Sequence, residues 1–129
     1  MERPDFKNCV GIGILRSDGE LVAGLVFSDW NPGFKRIEFS GATDDPRAFG
    51  TQIRRSVADY VFGQLEIFRV WSRTSADNRR ALRLLEGIGF IREGTQAHWY
   101  GEGKHAVVLR VTEPEWRRKW GSVPLRKAA

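Results

Sequence analysis

Two stretches of the sequence combine a helix start with arginine, a combination that suits the binding of phosphate groups. "RAFGTQ" (47–52) places Gly50 where a helix would begin, and "NRRALRLLEGIGF" (78–90) opens on Asn78. Unpaired N–H groups and the helix dipole at such a start attract anions, and a glycine lets the backbone approach a ligand closely. Six arginines at or after these starts add positive charge: Arg47, Arg54, Arg55, Arg79, Arg80 and Arg83.

Each of these features also has an ordinary structural explanation. Gly50 eases packing in a helix that Pro46 initiates, and Asn78 is a good N-cap whether or not a ligand is present. Each arginine taken alone suits a solvated helix face. The residues themselves leave both explanations open.

The composition limits the class of protein. The 129 residues predict a single domain, 1–129, and the 41% hydrophobic and 29% charged residues are typical of a soluble globular protein. A net charge of +5 favours a polyanionic partner. The sequence has no apolar run long enough for a membrane span or a signal peptide, so no membrane partner is expected. Cys9 is the single cysteine, which suits a reducing compartment, and the chain is expected to be cytoplasmic.

Hydrophobic periodicity predicts the elements that would position these residues. Alternating strands around a Ser-Asp-Gly turn give an antiparallel meander, which is followed by helix, strand, helix and two more strands. The order β-β-β-α-β-α-β-β predicts an α+β (mixed α/β) fold. The chain divides into three segments: the meander 9–43, a cofactor-binding core 44–97, and a final strand with a basic C-terminal tail 103–129, in which "EPEWRRKWG" forms a short helix or tail.

This order and these motifs resemble a short form of the GNAT (Gcn5-related N-acetyltransferase) superfamily, over about residues 9–112. Members of this family carry an Arg-x-x-Gly-x-Gly/Ala loop. Arg47 and Gly50 match this pattern, whereas Gln52 stands at the position of the second Gly or Ala. A second motif matches at Asn78, Ala81, Gly89 and Phe90. The ending "GFIREG" is most similar to the branch that acetylates ribosomal-protein N-termini, and "ADYVFGQL" is similar to prophage-encoded relatives.

The resemblance implies a central mixed β-sheet with helices on both faces. It also implies that the strand starting at Phe90 lies beside the strand 66–74, and that these two splay to admit acetyl-CoA. The implied activity is transfer of an acetyl group to a primary amine. The residues expected to bind the cofactor are Ala42, Arg47, Ala48, Phe49, Gly50, Thr51, Gln52, Asn78 and Arg80.

The resemblance also suggests which groups move protons. Glu38 lies on the strand where such enzymes commonly carry a catalytic glutamate, and Ser40 lies on the same face of that strand. The alternative to a catalytic role is that Glu38 is simply an exposed carboxylate opposite Arg36 or Lys35. His98 and Tyr100 are secondary catalytic candidates near the far end of the site. No metal is expected, because the two histidines lie far apart with no cysteine or carboxylate cluster.

The chain departs from the family pattern in two ways. Only about eight residues precede the meander, so the usual N-terminal strand and two helices are expected to be missing, and a homodimer is a reasonable way to complete the site. Leu85 stands where many GNAT enzymes carry a tyrosine that acts as general acid. The alternative is therefore a weakly active or inactive module that binds CoA or a protein. Nucleic acid is an unlikely partner, although "EWRRKW" is basic and aromatic.

Overall fold

The computed structural model describes residues 9–43 and 46–121 of the chain, and the last eight residues of the predicted basic tail lie outside this part. Six strands form one sheet in the order β1-β2-β3-β4-β6-β5. The strands are β1 (Val10–Leu15), β2 (Leu21–Asn31), β3 (Arg36–Thr43), β4 (Arg69–Ser75), β5 (Ile91–Gln96) and β6 (Ala106–Thr112). All neighbouring strands are antiparallel except β3 and β4, which confirms the predicted α+β class with a mixed sheet.

Three α-helices accompany the sheet: α1 (Thr51–Ala58), α2 (Arg79–Ile88) and α3 (Glu113–Trp120). A 3-10 turn at Pro46–Phe49 precedes α1, and a π-helical turn at Asp59–Gln64 follows it. The segment that the sequence predicts as a short helix or tail is thus the helix α3. Among the described residues, no helix is long and apolar enough to cross a membrane.

The parallel strands β3 and β4 separate along their length. They pair at only three positions, the last of which joins Glu38 to Trp71, whereas β3 continues to Thr43 and β4 to Ser75. Beyond Glu38 the facing edges of the two strands therefore leave backbone groups for an inserted ligand to pair.

This splay does not lie where it was predicted. The strand after Phe90 was expected to lie beside the 66–74 strand, but β6 lies between β4 and β5 and pairs with both. The physical reason is that β5 and β6 form a hairpin, and its second strand takes the place next to β4. The strands β4 and β5, although consecutive in sequence, are therefore not neighbours in the sheet.

The described helices pack on one face of the sheet, whereas helices on both faces were predicted. Their buried residues, which include Ala58, Leu82 and Trp116, belong to the same core as Phe39 and Val70 of the sheet. The handedness of the connections explains this. β3, β4 and β5 run parallel and follow one another in one direction across the sheet, so right-handed crossovers place α1 and α2 on the same side.

Alternation along the strands assigns the remaining side chains to the opposite face. Ile37 and Phe39 are buried in the core, so Glu38 and Ser40 of β3 point away from the helices. On β4 the buried Val70 likewise places its neighbour Trp71 on the opposite side. We call this second surface the open face.

The helix α2 begins and ends as its sequence predicts. The side chain of Asn78 caps it by accepting a hydrogen bond from the backbone N–H of Ala81 at 3.0 Å. Gly89 ends it at a φ of 132°, a conformation that side chains disfavour, and turns the chain into Phe90. The ring of Phe90 then stacks on Phe39 at 5.7 Å.

Substituting Gly89 by alanine is expected to destabilise the fold by about 1–2 kcal/mol. The new methyl group would adopt a disfavoured φ and lie 3.3 Å from Cδ of Lys119. Gly87→Ala is the matched control, since it lies in the same helix with nothing within 4 Å and is expected to gain about 0.5–1 kcal/mol. Urea unfolding of both variants provides the measurement, and equal effects would contradict the assigned role of Gly89.

Candidate cofactor and acceptor site

A basic cleft of about 540 Å³ opens beside the end of β3, between the first turn of α1 and one side of α2. Three guanidinium groups line it, and none of its lining residues within the described part of the chain is a carboxylate. Its walls are Thr43, Phe49, Arg54, Arg80, Arg83, Leu84, Gly87 and Ile88. A cavity of this size with this charge suits a ligand that carries several phosphate groups.

Two of the cleft arginines are held by backbone oxygens. Arg80 donates to the carbonyl of Thr43 at 3.3 Å, which joins α2 to the end of β3. Arg54 donates to the carbonyl of Phe49 at 2.7 Å and to the hydroxyl of Thr51 at 3.3 Å. These bonds fix guanidinium groups beside the start of α1, where the helix dipole adds further positive potential.

Gly50 is the N-cap of α1, and its own backbone does not require a glycine. Its φ of −67° and ψ of 177° suit any residue, and an added Cβ would lie in ordinary contact, 3.6 Å from the carbonyl oxygen of Arg47. The space that a side chain would occupy is therefore open at the helix start, as close approach of a ligand needs.

The other residues expected to bind the cofactor surround the same helix start. Thr51 and Gln52 form the exposed first turn of α1, and the exposed Arg47 lies in the 3-10 turn before it. Ala42 and Ala48 lie nearby along the backbone, at the end of β3 and in that turn, while their side chains lie outside the described part. The structure thus brings the start of α1 together with Arg80.

Asn78 is placed differently from these residues. Its side-chain oxygen is engaged as the N-cap of α2, and the residue is not among those that line the cleft. The structural role predicted for it is observed, and its contact with the cofactor stays a prediction.

Glu38 lies on the open face at the point where β3 and β4 begin to separate. Burial raises the pKa of its carboxyl above the usual range, the charge of Arg73 opposes this shift, and Asp29 adds to it. A carboxylate with a raised pKa is a stronger base, which is what proton removal from an ammonium group requires.

Arg73 connects the open face to the hairpin between β5 and β6. Its guanidinium lies 5.0 Å from the ring centre of Trp71 and 4.0 Å from that of Trp99. Its Nε donates to the side chain of Gln96 at 2.8 Å. The hairpin loop therefore folds toward the surface that carries Glu38, and Trp99, which is 51% exposed, forms a wall beside it.

The two histidines hold this hairpin loop in shape. The backbone N–H of Gly103 donates to Nδ1 of His98 at 2.8 Å, and the backbone N–H of His98 donates to Nδ1 of His105 at 3.0 Å. The Nδ1 atoms of both histidines are thus engaged within the loop, and a catalytic role for His98 stays a prediction. Tyr100, in the same loop, is 47% exposed.

Sequence reasoning did not assign Asp29, Arg73 or Trp99 to the surroundings of Glu38. Alternation along β4 places Arg73 on the same face as Trp71, and this signal was available. No local pattern brings Trp99 to Arg73, because 26 positions and a helix separate them in the chain. Leu85, the position of the absent tyrosine, is buried in the core and supplies no proton donor.

The aromatic residues of α3 are engaged within the domain. Trp116 is buried, and Nε1 of Trp120 donates to the carbonyl of Ile88 at 2.6 Å. Stacking of nucleic acid bases on "EWRRKW" is therefore not supported. The described residues also contain no group of three or more histidine, cysteine or acidic side chains that could hold a metal ion.

Two bacterial proteins are similar to this chain in sequence, while no protein-family model matches it. Aminoglycoside N(6')-acetyltransferase type 1 of Serratia marcescens is 28% identical over 90 residues, which are 68% of this chain and 45% of that protein. A kanamycin resistance protein of Rhizobium radiobacter is 29% identical over 82 residues, 62% of this chain and 76% of that protein. The chain thus spans about half the length of the first relative.

Solved acetyltransferases share the fold. A variant of spermidine N-acetyltransferase from Vibrio cholerae has a TM-score of 0.75 at 15% identity, over 89% of this chain and 72% of that one. The enzyme solved with CoA and spermine gives 0.70 at 17% identity, over 87% and 70% of the chains. The fold is that of the GNAT acetyltransferases, which confirms the fold expected from the resemblance.

Proposed function

We propose that this protein is an N-acetyltransferase that transfers the acetyl group of acetyl-CoA to a primary amine of a small polycationic molecule. The observation that carries the proposal is the position of the basic cleft. It lies at the end of the splay between β3 and β4, and Glu38 lies at the beginning of that splay. This arrangement supports phosphate binding at one end of the opening and proton removal at the other.

The residues have distinct roles in this reaction. Arg54, Arg80 and the first turn of α1 bind the phosphates of the cofactor, which supplies the acetyl group as a thioester. Glu38 takes a proton from the acceptor ammonium, since only the neutral amine is a nucleophile. The thiolate of CoA is a tolerable leaving group because a thiol pKa is near 8.5, so the reaction proceeds without the tyrosine that Leu85 replaces.

Two carboxylates and an exposed ring near Glu38 support a cationic acceptor. The carboxylates of Glu38 and Asp29 act on each other electrostatically, and the charge of Arg73 opposes them. The exposed Trp99 lies beside Arg73. Carboxylates and exposed aromatic rings attract ammonium groups. The sequence relatives are named for aminoglycosides and kanamycin, and a structural neighbour binds spermine. These observations support such amines ahead of the ribosomal-protein N-termini that "GFIREG" resembles.

Release of CoA thiol during incubation with acetyl-CoA and a panel of amines tests the proposal. Kanamycin and spermidine are expected to give turnover, and a peptide with a free N-terminus is expected to give less. The peptide alone as substrate would favour the ribosomal-protein branch of the family. Tight binding of acetyl-CoA with no turnover of any amine would instead favour the CoA-binding module, which the named relatives do not favour.

The homodimer, the prophage link and the cytoplasmic location stay predictions. Trp71 and Arg73 on the open face are half-buried in the single chain, and Trp99 beside them is exposed, so a second copy that covers them would complete the wall of the acceptor region. Light scattering of the purified protein measures its mass in solution, and a monomer at micromolar concentration would count against the dimer.

A further inference from the structure

We propose that Trp120 of α3 is a positioning residue for the cofactor. Its indole holds the guanidinium of Arg54 in place, so that Arg54 meets the phosphates of an acyl-CoA. This inference rests on the proposed function, because it assumes that the basic cleft binds acyl-CoA. It assigns part of the cofactor site to a helix that lies outside the two sequence motifs at 47–52 and 78–90.

Arg54 is held on three sides. Its guanidinium carbon lies 3.8 Å from the ring centre of Trp120. Its two terminal nitrogens donate to the carbonyl of Phe49 and to the hydroxyl of Thr51. A guanidinium that stacks on an indole while it donates in its own plane keeps further N–H groups available at its edge. Arg54 is also a wall of the basic cleft.

Trp120 is itself fixed, so it can serve as a rigid platform. Its Nε1 donates to the carbonyl of Ile88, the last residue of α2, at 2.6 Å. Its ring lies 6.2 Å from that of the buried Trp116. At the other end of α3, Thr112 and Glu115 form a reciprocal capping box. Trp120 therefore connects the side chain of Arg54 on α1 to the backbone of α2, whose side chains form the other wall of the cleft.

The platform matters because the cleft is crowded with positive charge. Arg54, Arg80 and Arg83 all line it, and like charges this close repel one another when no anion is present. Without the indole, Arg54 would gain rotamer freedom and move away from the other two. A cation that is already held in place loses less freedom when the anion binds, which increases affinity.

Trp120 also has a structural role, since it packs at the end of the core. A double-mutant cycle separates the two roles, because loss of general packing weakens cofactor binding whether or not Arg54 is present. Trp120 does not line the cleft, so its substitution removes no direct contact with the ligand. Lys119→Met is the matched control: its Nζ lies 5.0 Å from the same ring, and it does not line the cleft.

The experiment is calorimetric titration of acetyl-CoA into the full chain and its Trp120→Leu, Arg54→Met, double and Lys119→Met variants. Trp120→Leu is expected to weaken binding about fivefold in the unaltered background and to have no further effect in the Arg54→Met background. Trp120→Phe, which keeps a ring for the guanidinium, is expected to restore most of the affinity, and Lys119→Met is expected to have none of these effects.

Four outcomes would overturn the proposal. An equal loss from Trp120→Leu in both backgrounds, or an equal loss from Trp120→Phe and Trp120→Leu, assigns Trp120 to packing alone. Unchanged affinity in folded Trp120→Leu protein removes the positioning role while leaving the proposed function intact. Failure of the unaltered chain to bind acetyl-CoA contradicts both the proposed function and the role of Trp120. This result therefore distinguishes a wrong function from a wrong role for Trp120.

Discussion

Replacing Glu38 by glutamine is expected to lower kcat/KM for amine acetylation by about 10²–10⁴-fold, the range typical for loss of a general base. Glutamine has nearly the same shape as glutamate, and Glu38 is only half-buried on the open face, so the sheet is expected to form normally. The dissociation constant of acetyl-CoA is expected to stay unchanged, because the basic cleft lies at the other end of the splay.

The pH dependence of the activity provides a second test of the role of Glu38. Burial raises the pKa of Glu38, and the carboxylate is the form that accepts a proton. Activity is therefore expected to fall as the pH decreases through this raised pKa, and that limb of the profile is expected to be absent from Glu38→Gln. A carboxyl whose pKa is raised by folding lowers stability above that pKa, so the variant is expected to be no less stable at neutral pH.

Glu20→Gln is the matched control. Glu20 is an exposed carboxylate that pairs with Arg16 at the turn between β1 and β2, and its loss is expected to leave kcat/KM unchanged. If Glu38→Gln retains full activity and its low-pH limb, another group removes the proton. Tyr100 would then be the next residue to substitute, since the Nδ1 of His98 is occupied by the hairpin loop.

Local signals predicted the two helices that are proposed to bind phosphate. Asn78, the apolar spacing of α2 and Gly89 specify where that helix begins and ends without help from the rest of the chain. Gly50 likewise marks the start of α1. These features depend on neighbours within about one helical turn, and the sequence shows such neighbours directly.

The arrangement of the strands depends on interactions that the sequence does not show. The splay was assigned to the wrong pair of strands because β6, the last strand in sequence, inserts between β4 and β5. Helices on both faces were expected from the resemblance, whereas the direction of the crossovers determines that α1 and α2 share a face. Trp99 meets Arg73 only because the hairpin folds over the open face, so sequence reasoning could not place Trp99 there, whereas alternation along β4 could have placed Arg73 on that face.

Replacing Gly50 by glutamate is expected to weaken acetyl-CoA binding by about a hundredfold. Two unit charges about 5 Å apart near a protein surface repel by about 3 kcal/mol, and each 1.4 kcal/mol is a tenfold change in affinity. The variant is expected to fold, because the φ of −67° suits any residue and an acidic side chain at a helix N-terminus is stabilising. Calorimetric titration, together with a thermal melt, provides the measurement.

Two controls determine what a loss of binding means. Gly50→Gln tests size alone, since glutamine has the shape of glutamate without its charge and its Cβ would lie 3.6 Å from the carbonyl oxygen of Arg47, and a small loss is expected. Gly94→Glu adds the same charge on β5, where nothing lies within 4 Å, and is expected to bind normally. Normal binding by Gly50→Glu would place the phosphates elsewhere. A loss confined to Gly50→Glu would locate them at the start of α1, because the other variants share its size or its charge but not both at that position.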